Sequence, residues 1–84
     1  MPENEENFRD ELLEEAAEWI LDTKRVSVSA LQRRFRIGYT RAGRLMDTME
    51  SMGIVGPSEG AKPRQLLISK ERLSELFSHQ SAEQ

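Results

Sequence analysis

The chain has 84 residues and 37% apolar side chains, enough for one hydrophobic core and too little surface burial for two. It contains no cysteine, which excludes disulfides, thiolate zinc sites and thiol nucleophiles and fits a reducing cytoplasm. No apolar run approaches the roughly 20 residues of a membrane span, and the opening Met1-Pro2-Glu3-Asn4-Glu5-Glu6 is acidic where a secretory signal is basic and then apolar.

The net charge of −3 argues against a nucleic-acid partner only as an average. Nine acidic side chains and the single Arg9 fall within residues 1–23, whereas residues 24–46 hold Lys24, Arg25, Arg33, Arg34, Arg36, Arg41 and Arg44 with no Asp or Glu. A phosphate backbone responds to the local field, so a basic patch of this size can bind DNA within an acidic protein. The competing reading is that these cations merely balance the acidic first helix.

In chain order, residues 1–7 are expected to be a flexible terminus, residues 8–78 a single domain and residues 79–84 a second flexible end. From Asn7 to Thr23, Phe8, Leu12, Ala16, Trp19 and Ile20 recur at spacings of three and four, which predicts one amphipathic helix with an acidic outer face directed away from any DNA. Trp19 lies in the apolar stripe and is read as a core residue rather than a stacking platform. Val26-Ser27-Val28 is a short β-prone piece, after which Ser29 and Gln32 match a capping box opening a two-turn helix with Leu31 and Phe35 inward. Gly38 is expected to supply the sharp turn and Thr40 the cap of a third helix, about 41–52, buried through Ala42, Leu45, Met46 and Met49, with Gly53 closing it in a left-handed conformation. Met52 is the methionine expected to be partly exposed. With that stripe buried, Arg41, Arg44 and Thr48 fall on the opposite side of the third helix, as in a helix-turn-helix whose second helix enters the major groove.

Ile54-Val55 and Arg64 to Ile68 read as two strands joined by a turn-rich loop, so the expected fold is α+β, mainly helical: a winged helix-turn-helix of three helices, a two-stranded wing and an additional C-terminal helix. Ser69 is expected to cap that last helix, Lys70 to about Ser78, whose edge of Leu73, Leu76 and Phe77 serves either the core or a partner. No catalytic, metal or cofactor site is expected. His79 is the one histidine, the carboxylates lie on a solvated face, and residues 56–60 lack the Gly-Lys-Ser/Thr ending of a phosphate-cradling loop.

The run Leu31-Gln32-Arg33-Arg34-Phe35-Arg36-Ile37-Gly38-Tyr39, with Thr40-Arg41-Ala42-Gly43-Arg44-Leu45-Met46-Asp47, Met49-Glu50 and the segment Gly53 to Arg64, closely resembles the C-terminal gamma domain of the FtsK/SpoIIIE family of bacterial DNA translocases. The resemblance extends more loosely from about Leu13 to Ile68. It implies a winged helix that reads short, skewed, G-rich orienting sequences on duplex DNA and so directs a translocation motor lying outside this chain. It also implies contact with a tyrosine recombinase, and a position at the DNA-facing end of a membrane-anchored translocase. By position, Arg36, Thr40, Arg41, Arg44, Lys62 and Arg64 match the family's DNA-contact residues, and charge adds Arg33 and Arg34. The family often has Asn at the position of Thr40 and Ala at that of Gly43, and its members tend to end soon after the second strand. The alternatives are a free-standing winged-helix transcriptional or accessory regulator, dimerised through Leu73, Leu76 and Phe77, and a protein-interaction winged helix with an acidic partner.

Overall fold

The computed structural model describes residues 10–60, 62 and 64–82, so the N-terminal segment 1–7 and the helical start expected at Asn7 lie outside the described residues. Among the described residues four helices follow in order: α1, Leu13–Thr23; α2, Val28–Phe35; α3, Tyr39–Ser51; α4, Lys70–Ala82. A shared core of Leu13, Ala16, Ala17, Ile20 and Leu21 from α1, Leu31 from α2, Ala42, Leu45, Met46 and Met49 from α3, Ile54 and Val55 beyond it, and Leu73 from α4 holds them together. Burying each of the larger aliphatic side chains contributes about 1.5–3 kcal/mol, so the interlocked stripes outweigh any single surface contact. Met52 is half-buried against this core, as the spacing predicts.

The approach to α1 is a turn rather than helix. The Asp10 side chain accepts from the Leu12 amide at 2.9 Å and its carbonyl accepts from Leu13 N at 2.9 Å. Glu14 and Glu15 occupy the first turn, where the exposed amide dipoles favour negative charge. Lys24, at φ 65°, closes the helix with its amide on the Ile20 carbonyl.

The start of α2 corrects the sequence reading. Ser27 is the cap: it is extended, and its hydroxyl accepts from Ala30 N at 3.1 Å. Val28 is therefore the first helical residue, and the capping box expected of Ser29 and Gln32 does not form, because Ser29 already lies inside the first turn. The half-buried Val28 packs on the core, and that contact overrides the β-propensity of its short segment.

The turn between α2 and α3 is also built differently. Arg36, not Gly38, takes the left-handed conformation, at φ 57°, and the following Ile37 amide reaches back to the Gln32 carbonyl at 3.2 Å. Gly38 is extended at φ −75°, ψ 170°, and caps α3 without a side chain, so Thr40 is a first-turn residue rather than the cap. The far end of α3 follows expectation: Gly53, at φ 79°, donates to Glu50 O at 3.0 Å while Ile54 donates to Met49 O at 2.9 Å, a Schellman closure with the buried Ile54 packed beneath it.

Beyond α3 the two expected strands appear as isolated antiparallel bridges, Val55 with Leu66 and Glu59 with Lys62. Gly56 N to Gln65 O and Leu67 N to Ile54 O, each 2.9 Å, tie the two segments. Among the described residues the pairing stays at these isolated bridges and no continuous ladder forms. Leu66 is half-buried against the core and Leu67 faces out. The mainly helical architecture is compatible with a winged helix. Ser69 caps α4, accepting from Arg72 N at 3.2 Å, and α4 runs to Ala82, past the expected end at Ser78, because neither glycine nor proline interrupts it. Buried Leu73 and half-buried Leu76 and Phe77 pack against the core, and α4 lies on α1 with Lys70 bonded to Asp22 at 2.8 Å.

Candidate nucleic-acid interface

The buried positions Ala42, Leu45, Met46 and Met49 turn one face of α3 inward. Thr40, Arg41 and Arg44 consequently share the exposed face, and Tyr39, at 69% exposure, stands at its N-terminal edge. The Thr48 hydroxyl is committed to the Arg44 carbonyl at 2.8 Å and is only half-exposed, so it adds little to that face.

Arg33 and Arg34 lie in the last turn of α2, where cations complement the carbonyl end of the helix dipole. Both are exposed. The Arg34 guanidinium sits 4.9 Å from the centre of the Phe35 ring, and Phe35 meets Trp19 edge-on with centroids 6.1 Å apart. Trp19, Arg25, Ala30, Arg33 and Arg34 together line a shallow hollow where α1 meets α2. Arg36 is exposed at the left-handed corner between α2 and α3.

The two wing residues differ. Lys62 is exposed at the bridge with Glu59. Arg64 donates through Nη1 to Glu50 Oε1 at 3.1 Å and to the Gly56 carbonyl at 3.2 Å, and its side chain is only 16% exposed. It ties the base of the loop to α3.

Arg41 has a partner that the sequence did not disclose. Its Nε donates to Asp10 Oδ2 at 2.7 Å and its Nη2 to Asp10 Oδ1 at 2.6 Å. The bond from Arg41 is the main reason the Asp10 carboxyl titrates below its ordinary range. Burial opposes that shift, and the Leu12 amide adds to it. The same bond raises the Arg41 pKa, so the pair is fully ionised at neutral pH. Asp10 thus lies against the basic side chain of Arg41, while Glu14, Glu15 and Glu18 of α1 are exposed. Asp10 and Arg41 are 31 positions apart, and neither periodicity nor charge runs could have joined them.

Among the described residues no group of three His, Asp or Glu side chains could hold a metal ion, and no helix is long and apolar enough to cross a membrane.

A small helical core carrying a helix-turn-helix pair, with an arginine-rich corner and one polar helix face left outward, defines the class of protein. The particular family follows from comparison with known sequences: the model described as the Ftsk gamma domain matches residues 7–69, and the chain belongs to that family. It is 58% identical over 76 residues to the DNA translocase SpoIIIE of Bacillus subtilis, covering 90% of this chain and 10% of that protein. It is 52% identical over 69 residues to the DNA translocase FtsK of Bacillus anthracis, covering 82% and 9%. Identity to the DNA translocase FtsK of Clostridium tetani is 57% over 63 residues, covering 75% and 8%. The chain therefore spans about a tenth of the length of these relatives.

Proposed function

We propose that this domain binds duplex DNA with α3 in the major groove, reads an asymmetric G-rich site, and thereby orients a translocation motor that lies outside these 84 residues. The observation that carries the reading is the outward face of α3, with Thr40, Arg41 and Arg44 opposite a fully buried stripe, beside a corner where Arg33, Arg34 and Arg36 are exposed. An arginine fork matches the N7 and O6 acceptors of guanine, which assigns base reading to Arg41 and Arg44. Thr40 and Tyr39 add hydroxyls at the groove edge, and Arg33, Arg34, Arg36 and Lys62 meet phosphates. Arg64 acts by fixing the base of the loop that carries Lys62. The domain itself is non-catalytic and needs no cofactor or metal. Membership of the gamma family supports a role in chromosome partition at cell division, in the cytoplasm, with a motor domain and a tyrosine recombinase as further partners and no membrane contact by this domain.

Two measurements test this. Titration against duplex DNA at rising salt should show affinity that falls steeply with salt, and binding that is absent or salt-independent refutes the reading. Duplexes selected from a random pool should then converge on an asymmetric, guanine-rich motif. On that motif Arg44→Ala should cost about 1–3 kcal/mol more than on random DNA of equal length. Equal losses on both would reduce Arg44 to a phosphate contact. A dimeric regulator would instead select a palindrome. Against that alternative, the α4 edge of Leu73, Leu76 and Phe77 is already packed on this chain's own core, so sedimentation equilibrium should report a monomer at micromolar concentration.

A further inference from the structure

The Asp10–Arg41 pair joins the N-terminal turn to the proposed reading helix, and its geometry is asymmetric. Asp10 is the anchored member: its side chain is 4% exposed, and its Oδ1 also accepts the Leu12 amide. Arg41 is the presented member, at 45% exposure. A guanidinium carries five N–H donors fixed in one plane. Asp10 engages Nε–H and one N–H of Nη2, which is the side edge of the fork. The end edge, formed by Nη1 and the other N–H of Nη2, points away from the carboxylate.

We propose that Asp10 is a positioning residue that converts Arg41 from a phosphate-binding cation into a base reader, and this rests on the DNA-binding function proposed above. Two physical consequences of the pair carry the inference. First, the carboxylate balances the arginine's charge and itself repels phosphate, so the Coulombic reward for contacting the backbone falls. A neutral guanine edge asks only for two parallel donors, which the end edge still supplies. Second, holding the side edge at two points fixes the plane of the fork before DNA arrives, so less side-chain freedom is lost on reading a base. Asp10 thus lowers non-specific affinity while sharpening discrimination.

The test uses the 84-residue chain, a selected duplex and a scrambled duplex of equal length, each titrated over a range of salt. Asp10→Asn keeps an oxygen for the Leu12 amide but loses the charge. It should tighten binding to the scrambled duplex, steepen the log–log salt dependence by about 0.9, the signature of one added phosphate contact, and reduce selected-over-scrambled discrimination roughly tenfold. Arg41→Lys leaves the cap on Leu12 untouched and should lose the discrimination by itself. Adding Asp10→Asn to it should then change discrimination no further. If Asp10→Asn lowers the melting temperature but leaves salt slope and discrimination as they were, Asp10 is only a structural cap and the proposal is overturned. If both duplexes bind more tightly and discrimination stays the same, Asp10 is only a repulsive charge, and if discrimination rises, Asp10 works against reading; either outcome overturns the proposal. Should Asp10→Asn fail to fold, Arg41→Lys decides alone: unchanged discrimination rejects the role. Absence of DNA binding by the unaltered chain would overturn the proposed function itself, an outcome distinct from all of these.

Discussion

The helices α2 and α3 both end in a residue with positive φ, yet one end is Gly53 and the other Arg36. At Gly53 the conformation is the whole requirement: glycine enters the left-handed region without steric cost, and its amide and that of Ile54 close the helix over the core. At Arg36 a Cβ-bearing residue holds the same region at a cost of about 1 kcal/mol. A glycine would form the same corner with less strain, so what the arginine adds is its exposed cation at the edge of the proposed DNA face. If Arg36 meets phosphate as proposed, the two closures separate a position held for its backbone from one held for its side chain.

The largest effect is expected at Gly53. A Cβ there meets nothing within 4 Å, so Gly53→Ala should lose stability through backbone strain alone, by about 1–2 kcal/mol in chemical denaturation, with DNA affinity of the folded fraction unchanged. At Arg36 the signs should separate. Arg36→Gly should stabilise the fold by up to about 1 kcal/mol while weakening DNA binding and flattening its salt dependence by about one phosphate contact. A variant that is stabilised and binds equally well would show that the Arg36 cation does not reach DNA. Gly43 has neither positive φ nor a close neighbour: a Cβ meets nothing within 4 Å. Close approach of α2 is therefore not the reason for glycine in the middle of α3. Gly43→Ala should raise stability by about 0.5–1 kcal/mol, read by thermal melting, and any accompanying loss of DNA affinity would assign the glycine to backbone approach of the duplex.

The helices and core were legible in the sequence because their signals are periodic. The stripe Ala42, Leu45, Met46, Met49 follows from spacing alone, and Trp19, expected in the core, lies half-buried at its edge. Structure and pattern part locally, where two residues compete for one role. Ser27 and Ser29 are both chemically fit to cap α2, and the choice between them was made by the packing of Val28, which a linear pattern does not contain. Gly38 outranks Arg36 on intrinsic preference for positive φ, yet the length of α2 places the turn at Arg36. The basic face was legible as charge: spacing sets Arg41, Arg44 and Thr48 on one side of α3, and in the fold Arg41 and Arg44 are exposed with Thr40 while Thr48 is half-buried. The engagement of Arg41 by Asp10 and of Arg64 by Glu50 and Gly56 depends on tertiary geometry that charge counting leaves out.

The chain has one tryptophan, and it sits at the junction of α1 and α2, edge-on to Phe35 and on the rim of the hollow shared with Arg25, Arg33 and Arg34. The indole is therefore a native fluorophore stationed beside Arg33 and Arg34, two of the cations proposed to meet phosphate. Its emission should respond when the α2 arginines acquire an anionic neighbour and stay silent to a base exchanged opposite Arg44. One unlabelled titration would then follow docking on the backbone separately from reading of the sequence.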